Sequence, residues 1–165
     1  MDYNFLPGCG QYNPPFQLRS ACTDIIICAE VKIMKIAVRY YSRSGNTKAL
    51  ALAIAEAAGV QAVSVDSPQA GITDPVDVLF IGGALYAYGL DEHLKAYLGT
   101  LKKENVGKAV IFSSTWISRH SIQLIRKALE AAGIEVASDC LYVRGKPDQA
   151  ALERAKAFAA GFLAP

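Results

Sequence analysis

The chain is predicted to be an α/β domain, a parallel sheet with helices on both faces, and three observations predict this. From Met34 onward, short β-branched or aromatic runs alternate with amphipathic runs of helical period. A hydroxyl-rich loop, Ser42-Arg43-Ser44-Gly45-Asn46-Thr47, joins the first apolar run to the first amphipathic one. The 165 residues are 52% hydrophobic and 19% charged, enough for one domain with its own core and too apolar for a disordered chain.

Each element follows from its local pattern. Lys35 to Tyr41 reads as a buried strand, and Thr47 to Ala58 as a helix with Leu50, Ile54 and Ala57/Ala58 inward and Gly59 as its stop. Val60 to Val65 is a second strand closed by Asp66-Ser67-Pro68, and Asp77 to Ile81 a third ending in Gly82-Gly83. Leu90 to Leu101 is helical, with Leu90, Leu94, Tyr97, Leu98 and Leu101 on one face. Lys108 to Phe112 makes a fourth strand, followed by the loop Ser113 to Ser118 and a helix from about Arg119 to Ala132. Ile134 to Val143 is the fifth strand, and Asp148 caps a last helix reaching Phe162. Parallel strands need crossover connections, so helices between all five strands imply a doubly wound sheet. Its ligand then belongs at the loop after the first strand, near the topological switch point.

The leading segment differs from the rest. Residues 1–33 carry Pro7, Gly8, Gly10, Pro14 and Pro15 without sustained periodicity, and Met34 opens a clean strand as a translation start would. They are read as a leader, mis-started or non-native, against the alternative of an arm covering a sheet edge or a partner site. Residues 34–165 form the domain. Cys9, Cys22, Cys28 and Cys140 include no C-x-x-C pair, and His93 and His120 lie far from them. Free thiols in a reducing cytoplasm are expected, with neither a metal site nor a disulfide framework. No apolar stretch approaches the roughly 20 residues of a membrane span, the first residues lack a basic n-region followed by an apolar h-region so that a secretory signal is not expected, and a net charge of +2 does not indicate nucleic acid.

The loop from Ser42 to Thr47 carries the chemistry. A helix N-terminus offers unpaired amide groups and partial positive charge to an anion. Ser42, Ser44 and Thr47 add hydroxyls, Asn46 an amide, and Gly45 lets the backbone close. A Walker A G-x-x-x-x-G-K-[ST] run is missing, a G-x-G-x-x-G does not follow the first strand, and the loop has no cysteine nucleophile. This narrows the ligand to a phosphorylated mononucleotide, against the alternative of an ordinary strand-to-helix turn with a serine cap.

Ser42-Arg43-Ser44-Gly45-Asn46-Thr47 also matches every specified position of the flavodoxin phosphate loop, T/S-x-T/S-G-x-T. From Met34 to its C-terminus the chain resembles a short-chain flavodoxin. The resemblance implies a five-stranded parallel sheet of order 2-1-3-4-5 and FMN as cofactor, with its phosphate on Ser42, Arg43, Ser44, Gly45, Asn46 and Thr47. It also implies that the flavin ring lies between the loops after the third and fourth strands. These map onto Leu85, Tyr86, Ala87, Tyr88 and Gly89, and onto Ser113, Ser114, Thr115 and Trp116. Tyr86 and Tyr88 are candidates to stack on the ring, and Gly89 is the candidate for the peptide that flips beside its N5. Trp116 is the candidate cover, with the amides of Ser114 and Thr115 toward the pyrimidine end. Each aromatic has a competing role in core packing or helix capping. Arg43 pairs with the phosphate or is solvated, and His93 and His120 are expected to be structural or solvent-facing.

Two features depart from the family's electron carriers: the loop sequences after the third and fourth strands are not those of a standard carrier, and the charge differs. Electron-carrier flavodoxins are markedly acidic. Here, with Arg19, Lys32, Asp2, Asp24 and Glu30 set aside from 17 basic and 15 acidic residues, the part from Lys35 onward has three more cations than anions. The resemblance implies a cytoplasmic one- or two-electron carrier between protein partners, a reductase and an acceptor, with no catalytic residue of its own. The alternative is a small FMN-dependent reductase taking electrons from NAD(P)H to a quinone-like acceptor. A third class, an FMN-less assembly domain, leaves the loop hydroxyls unexplained. The oligomeric state is left open.

Overall fold

The computed structural model describes residues 34–86, 89–116 and 119–163. All lie in the second of the chain's two units, Lys32–Pro165. The leader reading of residues 1–33, with Cys9, Cys22 and Cys28, falls outside the described residues, as do Ala87 and Tyr88.

The elements run β1 Ile36–Tyr40, α1 Asn46–Ala58, β2 Ala62–Ser64, a 3-10 turn Pro68–Ala70, β3 Val76–Gly82, β4 Leu85–Tyr86, β5 Gly89–Leu90, α2 Glu92–Thr100, β6 Val106–Thr115, α3 His120–Ala131, β7 Glu135–Arg144 and α4 Gln149–Ala160. Five strands pair in the order β2-β1-β3-β6-β7, all parallel. Leaving aside the short antiparallel pair β4-β5, this is the expected order 2-1-3-4-5.

Side chains alternate across the sheet because successive strand residues point to opposite faces. Val38, Val78, Phe80, Val110 and Phe112 join Leu50 and Ile54 of α1 and Ala151, Ala155 and Ala159 of α4 in one core. Ala37, Leu79, Ile81, Ala109 and Ile111 join Leu94 and Leu98 of α2 and Ile122, Ile125 and Leu129 of α3 in the other. Both faces of the sheet are therefore dry, which is the condition for near-continuous apolar strands. α1 ends at Gly59, and Asp148 caps α4 by accepting from Ala151 N at 2.7 Å.

Several boundaries differ from expectation, most by one or two residues. β2 spans only Ala62–Ser64. Leu90 belongs to β5 and α2 begins after Asp91, whose carboxylate accepts from His93 N at 3.0 Å and makes it the cap. β7 is shifted one residue toward the C-terminus. The largest change is in β6, which continues through Ser113, Ser114 and Thr115. Their hydroxyls suggest a loop, yet all three are buried. Burial is permitted because the polar groups find partners: Ser113 Oγ donates to Gly83 O at 2.7 Å and lies 2.8 Å from Ser121 Oγ.

Candidate functional site

The C-terminal ends of β1, β3 and β6 lie side by side at the centre of the sheet, and the segments leaving them form the site. After β1 the chain is held by Tyr41 N on Gly82 O at 3.0 Å and by Arg43 N, which donates to Tyr86 Oη at 2.8 Å. Gly45 then takes φ 83° and caps α1. A side chain there would meet no neighbour, so the left-handed backbone, not space, is what requires glycine. A helix start leaves its first amides without intrahelical partners, and Gly45 has no side chain to take one. The Oγ of Ser42 is buried and meets no hydrogen-bond partner among the described residues. Thr47 is almost fully buried under the loop, with Oγ1 2.9 Å from Ser114 Oγ.

The three segments converge. Ser44, Asn46, Ala84, Leu85, Tyr86, Ser114, Thr115 and Trp116 line one cleft of about 210 Å³. Seven of these eight are sequence candidates, and only Ala84 is new. Trp116 is 67% exposed, and its indole rests against Gly145, where a Cβ would stand 2.7 Å from the ring. Two candidates are set apart. Ser113 faces inward, its hydroxyl committed to Gly83 and Ser121. Gly89 lines a separate groove of about 640 Å³ between α2 and α3, with Leu90, Leu98, Leu124 and Ala128. That groove is larger, but no residue of the hydroxyl loop reaches it.

Arg43 has a definite partner. Its guanidinium is ion-paired with Asp91 and lies 4.5 Å above the Tyr86 ring, although its own side chain remains 59% exposed. Asp91 also accepts from His93. Burial pushes the Asp91 carboxyl up, and the hydrogen bonds from His93 and Arg43 outweigh it, holding the group below the usual carboxylate range. His93 stacks flat on Tyr41, centroids 5.4 Å apart, and Tyr41 meets Tyr86 edge-on. His120 opens α3 and is exposed, with Nδ1 3.3 Å from Gln123 Oε1. Starting the helix at Leu90 hides Asp91. The Asp-Glu-His order ahead of Leu94 is the capping signal that reveals it.

With this geometry in view, comparison with known proteins is informative. A flavodoxin domain family model matches residues 37–162. No curated protein sequence matches with significance. Among solved structures, a flavodoxin from the domain Archaea is 25% identical with a TM-score of 0.63, covering 79% of this chain and 96% of its own. Oxidised flavodoxin 1 from Bacillus cereus is 22% identical with a TM-score of 0.65, covering 78% and 97%. The rubredoxin oxygen:oxidoreductase of Desulfovibrio gigas is 19% identical with a TM-score of 0.68, matched over 78% of this chain and 36% of that one. The likenesses below 25% identity speak for the fold, while the family match spans the sheet, its helices and the hydroxyl loop. The chain therefore belongs to the flavodoxin domain family and is an FMN-binding electron-transfer flavoprotein.

Proposed function

We propose that this protein seats the FMN phosphate in the Ser42–Thr47 loop and the flavin ring in the cleft between Tyr86 and Trp116, and passes electrons between a reductase and a protein acceptor. The observation that carries the reading is the buried, unpartnered Ser42 hydroxyl beside an α1 start whose cap has no side chain. A native loop rarely buries an unpaired hydroxyl, and an anion at the helix start would take its hydrogen together with the free amides. The residues fit a flavin mononucleotide: hydroxyls and amides at one end of the cleft, Leu85, Tyr86 and Trp116 at the other.

Bound FMN supplies a carrier of one or two electrons. The chain's own residues hold and orient it. Ser44 and Asn46 line the phosphate end of the cleft, and the Thr47–Ser114 hydroxyl pair ties the loop to β6. Arg43 acts on the loop that holds Tyr86, through Asp91 and the Tyr86 ring, and not on the phosphate. The exposed edge of Trp116 marks where the cleft opens to solvent. The proposed setting is a reducing cytoplasm, since no two of the four cysteines have C-x-x-C spacing. No helix among the described residues is long and apolar enough to cross a membrane.

An absorbance spectrum of the purified protein tests the reading. Flavin bands, or stoichiometric uptake of FMN by colourless protein, are expected, and a protein with no affinity for FMN would overturn it. Anaerobic titration separates the two redox roles. Slow reduction by NADPH alone is expected of a carrier, whereas rapid bleaching with turnover on a quinone would assign a reductase.

A further inference from the structure

We propose that the surface around Trp116 docks the acidic face of a redox partner protein. The inference rests on the electron-transfer reading above, and adds the chemistry of the partner and the residues that meet it.

Trp116 is the chain's single tryptophan, and it is 67% exposed. An exposed tryptophan beside arginines is the residue combination that dominates binding energy at protein interfaces. The indole packs on Gly145, so little freedom is lost when a partner covers its outer face. Gly145 is held at φ 74° and donates from its amide to Thr115 O at 3.3 Å, which fixes the two segments against each other.

Three cations belong to the segments that meet at the indole. Arg144 and Lys146 flank Gly145, and both are exposed. Arg119 is exposed as well, with its guanidinium 5.3 Å above the ring of Tyr142, whose hydroxyl donates to Thr115 O at 3.1 Å. None of the three forms an ion pair among the described residues. Three cations elsewhere do: Arg43 meets Asp91, Lys108 meets Glu135, and Lys156 meets Glu56 and Glu153. Residues 113–129 and 140–147 contain no Asp or Glu at all. The nearby Asp148 has its carboxylate turned to Ala151 N as a helix cap. A patch of one sign, without an ion-paired anion among the described residues, attracts a partner of the opposite sign.

Trp116 also lines the flavin cleft. A partner seated on this collar is therefore brought to the edge of the cofactor site, which is what electron transfer requires. Three cations are few for a nucleic-acid backbone, whose binders typically neutralise about six to ten phosphates. An acidic protein surface is the occupant that the patch and the redox role share.

The experiment uses the full-length, FMN-loaded protein, with a photoreduced acidic [2Fe–2S] ferredoxin as the probe. The ferredoxin cluster is oxidised by one electron as the bound flavin takes it. The second-order rate constant is expected to fall at least about tenfold between about 20 mM and about 300 mM salt. A basic cytochrome c, taking one electron from the dithionite-reduced protein, is expected to show the opposite slope. The triple variant R119E/R144E/K146E is expected to lose about tenfold of the low-salt ferredoxin rate and its salt dependence, with FMN affinity unchanged. The milder pair R144Q/K146Q serves if the triple variant does not fold.

A wild-type rate indifferent to salt, equal slopes for both probes, or a charge-reversed variant as fast as wild type would each overturn the docking proposal. So would collar-dependent binding to phosphatidylserine vesicles or to a DNA duplex alongside a flat ferredoxin profile. Loss of FMN binding by the wild type would instead strike the electron-transfer reading itself.

Discussion

Arg43, in the loop after β1, is ion-paired with the buried carboxylate of Asp91, the cap of α2, 48 residues further along the chain. The pair joins the proposed phosphate seat to the segment that carries Tyr86, and Arg43 reinforces the link with its amide on Tyr86 Oη. Removing the two partners should have unequal effects. Asp91→Ala loses a helix cap worth about 1 kcal/mol together with the pair. Arg43→Ala leaves the carboxylate its hydrogen bonds from His93 and removes only a partner that is itself exposed and screened by solvent. Urea unfolding is expected to rank Asp91→Ala as the more destabilised. The reverse order would mean that the cap carries little.

The pH dependence follows from the depressed Asp91 carboxyl. A group whose folded pKa lies below its unfolded value stabilises the fold above the unfolded pKa, about 3.9 for aspartate. That stability is lost as pH falls through the folded value. The difference in unfolding free energy between wild type and Asp91→Asn should therefore stay constant from neutral pH down to about 4 and shrink below that. A difference that already shrinks well above about pH 4 would count against the Asp91 carboxyl as its source.

Ser42→Ala separates ligand binding from folding. Its Oγ is buried without a partner among the described residues, so the apoprotein is expected to be as stable as wild type or slightly more. A hydrogen bond to a charged group contributes about 1.5–3 kcal/mol, so FMN affinity should fall at least about tenfold. Thr47→Ala behaves differently, because it strands Ser114 Oγ, and both stability and affinity should drop. Calorimetry on the apoproteins and fluorescence titration with FMN read the two effects. Unchanged FMN binding by Ser42→Ala would remove that hydroxyl from the site.

Ser113→Ala is the converse case. The substitution deprives Gly83 O and Ser121 Oγ of a buried partner and should cost about 1–3 kcal/mol of stability. FMN affinity should stay within about twofold, since the Ser113 hydroxyl already bonds inside the fold. A large loss of affinity with full stability would return Ser113 to the cofactor site.

Gly145→Ala tests the seat of Trp116. The left-handed backbone at φ 74° alone costs about 1–2 kcal/mol for an L side chain, and the new methyl would stand 2.7 Å from the indole. The indole must move. Since the chain has a single tryptophan, its emission spectrum should shift on substitution, and an unchanged spectrum would contradict the packing.

The elements that were legible in advance share one property: their signal is local. The hydroxyl loop lies within six consecutive residues, Gly45 needs its own φ, Asp148 caps its own helix, and the strand–helix alternation follows from hydrophobic period. Candidate residues from all three segments do meet in one cleft, because parallel topology puts the C-terminal ends of β1, β3 and β6 together. The extent of β6 was not legible. Ser113, Ser114 and Thr115 carry loop-like side chains, and only partners 30, 8 and 67 residues away make them acceptable inside a strand.

The sequence by itself determined the architecture, the hydroxyl loop proposed as the anion seat and the family resemblance, since these rest on short-range patterns of polarity and backbone conformation. Tertiary structure decided what each side chain near that seat does. It turned Arg43 toward Asp91 and Tyr86, sent Ser113 inward, left the Ser42 hydroxyl without a partner among the described residues and laid Trp116 on Gly145. Such pairings depend on the direction of side chains brought together across tens of residues, and no local pattern carries that information.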